Sequence, residues 1–163
     1  MLRRSMLLVA VIVAASGLLM AGENPKFVTG DVLLGYLGTT VPPQTRFMGN
    51  QRISTRSEIQ TWMPVDASGA AALLLGPTIT FVVNCNFDSN LRGPCWGTFQ
   101  WDAPGGGMWE GSWTTPVMDL ITYESEISMV GHGMGGEIDG KQIKLDGGSA
   151  PNDYYITATV RIK

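Results

Sequence analysis

The side chains suited to proton transfer are scarce in this chain and lie in glycine-rich or aromatic sequence. His132 is the single histidine among 163 residues, and glycines flank it in the segment GHGMGG. Because an imidazole can accept and donate a proton near neutral pH, this histidine is a candidate acid or base. Glu110, between Trp109 and Gly111, is a second candidate. No serine or cysteine nucleophile motif accompanies them, which disfavours acyl transfer.

The glycine-rich segment at residues 131–136 also satisfies the G-x-G-x-x-G pattern of dinucleotide-binding turns. That pattern binds a pyrophosphate where a strand turns into a helix, because the helix N-terminus then faces the phosphates. The sequence that follows, EIDGKQIKLDGG, is typical of a β-hairpin. We therefore expect no nucleotide cofactor, and no other cofactor or metal site is predicted.

Aromatic side chains are the more prominent binding candidates. Together with His132, four of the five tryptophans form the candidate ligand-binding set: Trp96, Trp101, Trp109 and Trp113. The last three alternate with small or apolar residues, which is typical of a buried face. Trp96 falls on the polar face of its strand, where a large apolar side chain is a candidate binding residue.

These tryptophans belong to residues 95–114, where period-two alternation predicts an aromatic β-hairpin with its turn at residues 103–107. The predicted register pairs Trp101 with Trp109, Phe99 with Gly111, and Gly97 with Trp113. In this register each glycine is covered by an aromatic ring from the opposite strand.

Similar alternation recurs along the chain and predicts an all-β fold. Further strands are expected at residues 26–36, 46–54, 58–65, 78–87, 121–130, 142–145 and 154–163. Asp139-Gly140 predicts a type I′ turn between strands at 136–138 and 141–145. Residues 70–75 could form a short helical turn, and equally a buried strand or a linker. We expect a single antiparallel β-barrel of about eight strands with little helix, because closure removes exposed edges; a β-sandwich is the second choice.

The two cysteines, Cys85 and Cys95, enclose nine residues rich in turn formers. In an oxidising compartment such a pair is expected to form a disulfide that clamps two neighbouring strands across their loop. A loop this short gives about 2–3 kcal/mol of stabilisation.

The N-terminus carries the features of a signal peptide, predicted at residues 1–21. Arg3 and Arg4 precede an uncharged, mostly apolar run at residues 6–20, and Ala21 is a plausible last residue before cleavage. The mature barrel domain would then span residues 22–163 and be secreted or periplasmic, without stable membrane insertion. An uncleaved N-terminal anchor is the alternative.

Charge disfavours one large class of partners. The chain has a net charge of −3, and without Arg3 and Arg4 it retains 9 basic and 14 acidic side chains, a net charge of −5. The basic residues are scattered. Since phosphate neutralisation needs concentrated positive charge, we expect no nucleic-acid partner.

The stretch WGTF…GGGMWEGSW resembles a group of uncharacterised bacterial secreted small β-barrel proteins with paired W-G-T-[FW] and G-G-x-W-x-G-x-[WY] strands. The matching residues are Trp96, Gly97, Thr98, Phe99, Gly106, Gly107, Trp109, Gly111 and Trp113. The expected architecture is similar to allene-oxide-cyclase-like and calycin-like barrels. This resemblance implies a fold and no specific activity, since one fold hosts many unrelated sites.

Together these patterns predict an exported, non-catalytic barrel that binds a small apolar or amphipathic molecule at its mouth. One alternative is a barrel-type cyclase or isomerase, in which His132 or Glu110 would be the acid/base group. The other is a cell-envelope module that binds a protein through its surface.

Overall fold

The computed structural model describes residues 27–49 and 52–163, so the predicted signal peptide lies outside the described residues. Within these ranges the chain forms nine β-strands: β1 (Val28–Val41), β2 (Gln44–Met48), β3 (Arg52–Ser68), β4 (Ile79–Phe87), β5 (Arg92–Ala103), β6 (Gly107–Asp119), β7 (Ser125–Met134), β8 (Gln142–Ser149) and β9 (Tyr155–Ile162). One short helix, α1 (Gly69–Ala72), and two 3-10 turns complete the described secondary structure. None of the helices in these ranges is long and apolar enough to cross a membrane.

Strand pairing closes the sheet into a barrel. Each strand from β3 to β9 pairs antiparallel with the next, and β1 pairs with both β9 and β3. Eight strands therefore form the closed ring, while β2 is an additional strand that pairs with the start of β3. This arrangement confirms the predicted antiparallel barrel and excludes the sandwich.

The aromatic hairpin has the predicted register. β5 and β6 pair Trp101 with Trp109, Phe99 with Gly111, and Gly97 with Trp113. The indole of Trp113 lies over Gly97 and donates a hydrogen bond to the Val82 carbonyl, 3.1 Å away on β4. A Cβ at Gly97 would overlap that carbonyl, so glycine at this position is what lets the ring reach across the strand.

One end of the barrel is closed by α1 and the turn that follows it, residues 73–76. Ala71 is fully buried under the strands. The indole of Trp101 donates to the Gly76 carbonyl at 2.9 Å, and the indole of Trp109 donates to the Leu74 carbonyl at 2.9 Å. We call residues 69–76 the plug, because its backbone carbonyls bind these two core tryptophans.

The disulfide prediction is confirmed, since Cys85 and Cys95 are bonded and lie directly opposite each other on β4 and β5, with Cα atoms 4.1 Å apart. Of the three structures left open for residues 70–75, the chain forms the short helical turn, α1, followed by a turn.

Several local predictions are wrong. The single strand expected at residues 46–54 is two strands, because β2 ends at Met48 before a turn at Gly49. The strand expected at residues 121–130 begins only at Ser125, because residues 120–124 form the connection from β6 to β7. The strand expected at 136–138 is a 3-10 turn, Gly136–Ile138, whose Ile138 is fully buried. Asp139 has a negative φ of −54° and Gly140 a positive φ of 72°, so this dipeptide forms a type II turn instead of type I′.

Candidate functional site

The barrel end opposite the plug contains an open cavity of about 540 Å³. All eight strands of the closed ring contribute side chains to its wall, and these are mainly apolar and aromatic. The volume lies within the range of small-molecule pockets, about 300–1,000 Å³, and the mouth of a β-barrel is a common location for them.

An aromatic wall runs from the floor of the cavity to its rim. It consists of Trp113, Phe81, Trp62 and Tyr36, which lie on β6, β4, β3 and β1. Consecutive ring centroids are 5.7, 6.3 and 5.3 Å apart, and the rings meet edge to face. Trp113 and Phe81 are nearly fully buried, whereas Tyr36 is 45% exposed. The wall therefore offers an apolar floor and a more accessible upper surface.

A polar chain lies beside the upper half of the aromatic wall. Glu58 Oε1 accepts hydrogen bonds from the Thr39 hydroxyl at 2.8 Å and from Gln60 Nε2 at 3.0 Å. Gln60 Oε1 in turn accepts from the Trp62 indole at 3.1 Å, and the Tyr36 hydroxyl lies 2.7 Å from the Thr39 hydroxyl. The Glu58 side chain is therefore the acceptor for both Thr39 and Gln60, and Gln60 links it to the indole of Trp62.

The opposite side of the mouth is built from loops that bind one another. The Leu120 amide donates to the Leu91 carbonyl at 3.0 Å, which links the β6–β7 and β4–β5 loops. Tyr123 and Tyr154 pack with ring centroids 4.9 Å apart, which joins the β6–β7 and β8–β9 loops. The mouth is therefore held by contacts between consecutive loops.

Backbone strain is concentrated at the same end. Among the described residues, the non-glycine positions with φ near +60° are Ser57, Leu91, Tyr123 and Asn152. The first lies next to Glu58, and the other three lie one in each loop of the mouth. Such conformations cost about 1–3 kcal/mol each and are frequent in functional regions.

Asp119 stabilises the β6–β7 loop at the rim. Its Oδ1 accepts hydrogen bonds from the amides of Thr122 at 3.1 Å and Ile121 at 2.8 Å, and Arg92 Nε lies 3.4 Å from Oδ2. These backbone bonds, with a smaller contribution from Arg92, hold the pKa of the Asp119 carboxyl below its ordinary value.

Of the four predicted tryptophans, one reaches the cavity. Trp113 lines the floor, whereas Trp101 and Trp109 are completely buried beside the plug. Trp96 lies on the outer surface, where the Arg56 guanidinium is 5.0 Å from its ring. The four side chains therefore do not form one site.

His132 and Glu110 lie on the outer surface of the barrel, away from the cavity. They face each other across β7 and β6, with His132 Nε2 3.4 Å from Glu110 Oε1. Both side chains are solvent-accessible, so the pair is a surface contact on two adjacent strands. Within residues 27–49 and 52–163, no group of three or more His, Cys, Asp or Glu side chains is arranged to hold a metal ion.

Sequence reasoning missed the β3 contribution to the site. Glu58, Gln60 and Trp62 occupy alternate positions of β3 and all face the cavity. Earlier on the same strand the residue that faces the cavity is Thr55, so the inward positions are even-numbered after the bulge and odd-numbered before it. A bulge between Thr55 and Glu58 shifts the alternation by one residue. The two-residue spacing of Glu58, Gln60 and Trp62 could have indicated that they share one face of a strand. The bulge explains why this alternation does not extend to the earlier residues of β3.

Comparisons with protein-family models, with curated proteins and with solved structures found no match.

Proposed function

We propose that this protein is exported and binds a small apolar or amphipathic molecule in the open cavity of its barrel. The observation that carries this proposal is the aromatic-lined space of about 540 Å³ between the mouth and the floor formed by Phe81 and Trp113. No step of catalysis is assigned to the site.

The asymmetry of the barrel supports this proposal. Protein interiors are packed to the density of organic crystals, and voids larger than a water molecule are few. The lower half follows that rule, since Trp101, Trp109 and the plug fill it. The upper half has the same apolar character but is left open, and apolar walls hold water poorly. A ligand with an apolar body would replace that water favourably.

The rigidity of the mouth supports binding without a large ordering cost. The disulfide joins β4 to β5 at the cavity wall, and the bond between Leu120 and Leu91 ties two rim loops together. Because a preformed site loses little conformational entropy on binding, more of the contact energy contributes to affinity.

Export is the second part of the proposal. Disulfides persist in oxidising compartments, and the Cys85–Cys95 bond together with the predicted N-terminal signal supports a location outside the cytoplasm. A soluble carrier or scavenger of a poorly soluble molecule would be useful there.

The proposal is tested with the uncharged fluorescent probe N-phenyl-1-naphthylamine and a pair of adjacent substitutions. Met118 lines the cavity, whereas Val117 is 45% exposed and does not. Met118→Trp should fill part of the mouth and weaken probe binding about 10-fold or more, the effect of losing roughly 1.4 kcal/mol of contacts. Val117→Trp adds the same side chain outside and should bind the probe like the wild type.

Native mass spectrometry of the protein purified from its exported fraction provides the complementary measurement. A co-purifying small molecule would identify the ligand class. Absence of saturable binding of the probe, or equal binding by the two tryptophan variants, would refute a cavity-based ligand site.

A further inference from the structure

The charged side chains of the cavity wall are all acidic among the described residues. Its charged side chains are Glu58 and Asp153, and no lysine, arginine or histidine is among the described residues that line it. The nearby Arg56 of β3 is directed to the outer surface, where it binds the carbonyl of Cys85 and packs on Trp96. An anionic ligand, such as a fatty-acid carboxylate, would therefore enter a cavity with two negative charges and no compensating positive one.

The two carboxylates differ in their position and partners. Asp153 lies in the β8–β9 loop, and its Oδ1 accepts a hydrogen bond from the Tyr155 amide at 3.0 Å, which makes it part of a turn. Glu58 lies on β3 with its side chain directed into the barrel, and the bonds that it accepts from Thr39 and Gln60 both end on Oε1. Both donors are neutral, and none of the described residues that line the cavity carries a positive charge that would compensate Glu58.

The aromatic rings beside Glu58 provide a second feature that favours a cation. The polar edge of each ring is linked to the Glu58 carboxylate through one intervening side chain, Trp62 through Gln60 and Tyr36 through Thr39, so both rings lie near the carboxylate on the cavity wall. Their centroids are 5.3 Å apart, with an interplanar angle of 64°. Tryptophan and tyrosine faces attract ammonium groups through their quadrupoles, most strongly where water is displaced.

Resting on the proposed function, we propose that the natural ligand is a cationic amphiphile whose ammonium group is bound by Glu58, Trp62 and Tyr36. Its apolar chain extends to the floor formed by Phe81 and Trp113. The shared chemistry is a positively charged nitrogen on an apolar body, and either a protonated primary amine or a quaternary ammonium satisfies it. A primary amine adds a hydrogen bond to the carboxylate, whereas a quaternary ammonium relies on charge and the aromatic faces.

The test is displacement of N-phenyl-1-naphthylamine by four molecules with the same ten-carbon chain, each below its micelle concentration. The set consists of decylamine, decyltrimethylammonium, 1-decanol and decanoate. The wild type should bind at least one of the two cations about 10-fold or more tightly than decanoate, the scale expected for pairing a charged group with its partner. Comparison of the two cations distinguishes the amine from the quaternary source.

Two matched substitutions assign the preference to one carboxylate. Glu58→Gln keeps the side-chain size and an oxygen that can accept from Thr39 and Gln60, and it should abolish the preference for the cations over decanol. Asp153→Asn retains the oxygen bonded to Tyr155 and should leave the preference intact.

Each outcome has a defined meaning. If the probe binds but the four head groups compete equally, or decanol or decanoate competes best, the cation inference is refuted and the proposed function stands. If Glu58→Gln weakens the probe and all four competitors equally, Glu58 is structural and the inference is refuted. Loss of the preference in Asp153→Asn would also refute the assignment to Glu58. If the probe does not bind at all, the proposed function fails, and the inference that rests on it fails with it.

Discussion

The same substitution at two tryptophans of β5 should have very different effects, because the two rings lie on opposite faces of the barrel wall. Trp101 is completely buried and donates a hydrogen bond of 2.9 Å to the Gly76 carbonyl of the plug. Trp96, five residues earlier, lies on the outer surface against Arg56. We therefore compare Trp101→Phe with Trp96→Phe.

The expected loss of stability follows from these contacts. Replacing the Trp101 indole by a phenyl ring removes buried ring atoms worth about 2 kcal/mol at roughly 0.8 kcal/mol per buried carbon. It also leaves the buried Gly76 carbonyl without this donor, which costs about 1–2 kcal/mol. The free energy of unfolding should fall by about 3–4 kcal/mol, a decrease in Tm of roughly 10 °C for a chain of this size. Trp96→Phe weakens only a surface contact with Arg56 and should cost less than about 1 kcal/mol.

Urea denaturation followed by far-UV circular dichroism measures both values, since it does not depend on tryptophan fluorescence. A third variant, Trp109→Phe, removes the other indole that binds the plug, through Leu74. Because both indoles hold the same segment, the double variant should lose less stability than the sum of the two single losses. Equal losses in Trp101→Phe and Trp96→Phe would refute the account of a plug held by buried indoles.

Three further predictions follow from the cavity wall, the hairpin and the rim. Replacing both Cys85 and Cys95 by alanine should lower the free energy of unfolding by about 2–3 kcal/mol in denaturant titrations. The circular dichroism spectrum should be retained, because β4 and β5 are also paired through their backbones. An unchanged denaturation midpoint would contradict a stabilising role of the disulfide. Gly97→Ala should lower the free energy of unfolding by more than about 2 kcal/mol in the same assay, since the new methyl group would displace the Val82 carbonyl or the Trp113 ring. Gly49→Ala is the control and should cost less than about 0.5 kcal/mol, because no atom lies within 4 Å of its new methyl group. Similar losses in the two variants would refute the steric argument. The pKa of the Asp119 carboxyl is lowered in the folded protein, so the ionised carboxylate stabilises the fold fully above its unfolded pKa, near pH 4. This stabilisation is lost as the pH falls through the lower folded value. Asp119→Asn should therefore flatten the decline of Tm below about pH 4, and an unchanged slope would show that the carboxyl has no such role.

Much of the barrel could be predicted because β-strands alternate in sequence as they alternate in space. The pairs Trp101–Trp109, Phe99–Gly111 and Gly97–Trp113 followed from matching each glycine with an aromatic ring across one short turn. The disulfide followed similarly, since Cys85 and Cys95 lie on adjacent strands and are separated by only nine residues rich in turn formers. Local geometry was sufficient in both cases, because the partners are close along the chain.

Local errors arose where a single backbone angle decides the structure. Asp-Gly is a preferred dipeptide of type I′ turns, but glycine at the same position also permits a type II turn, and the negative φ of Asp139 identifies this turn as type II. The residue before this dipeptide, Ile138, is fully buried and ends the 3-10 turn that replaces the predicted strand. Burial of one side chain is a tertiary property that the dipeptide does not encode.

The all-β class, the central hairpin with its register and the disulfide could all be inferred from the residue order, because each depends on periodicity and short-range pairing. Which aromatic residues contact one another depends on how the barrel closes. Closure of β1 against β3 brings Tyr36 to Trp62, and the bulge before Glu58 turns that carboxylate inward. The same closure buries Trp101 and Trp109 beside the plug and leaves His132 outside. Inside and outside of a barrel are defined only when the first and last strands pair, and that contact joins residues more than one hundred positions apart, such as Gly35 and Tyr155.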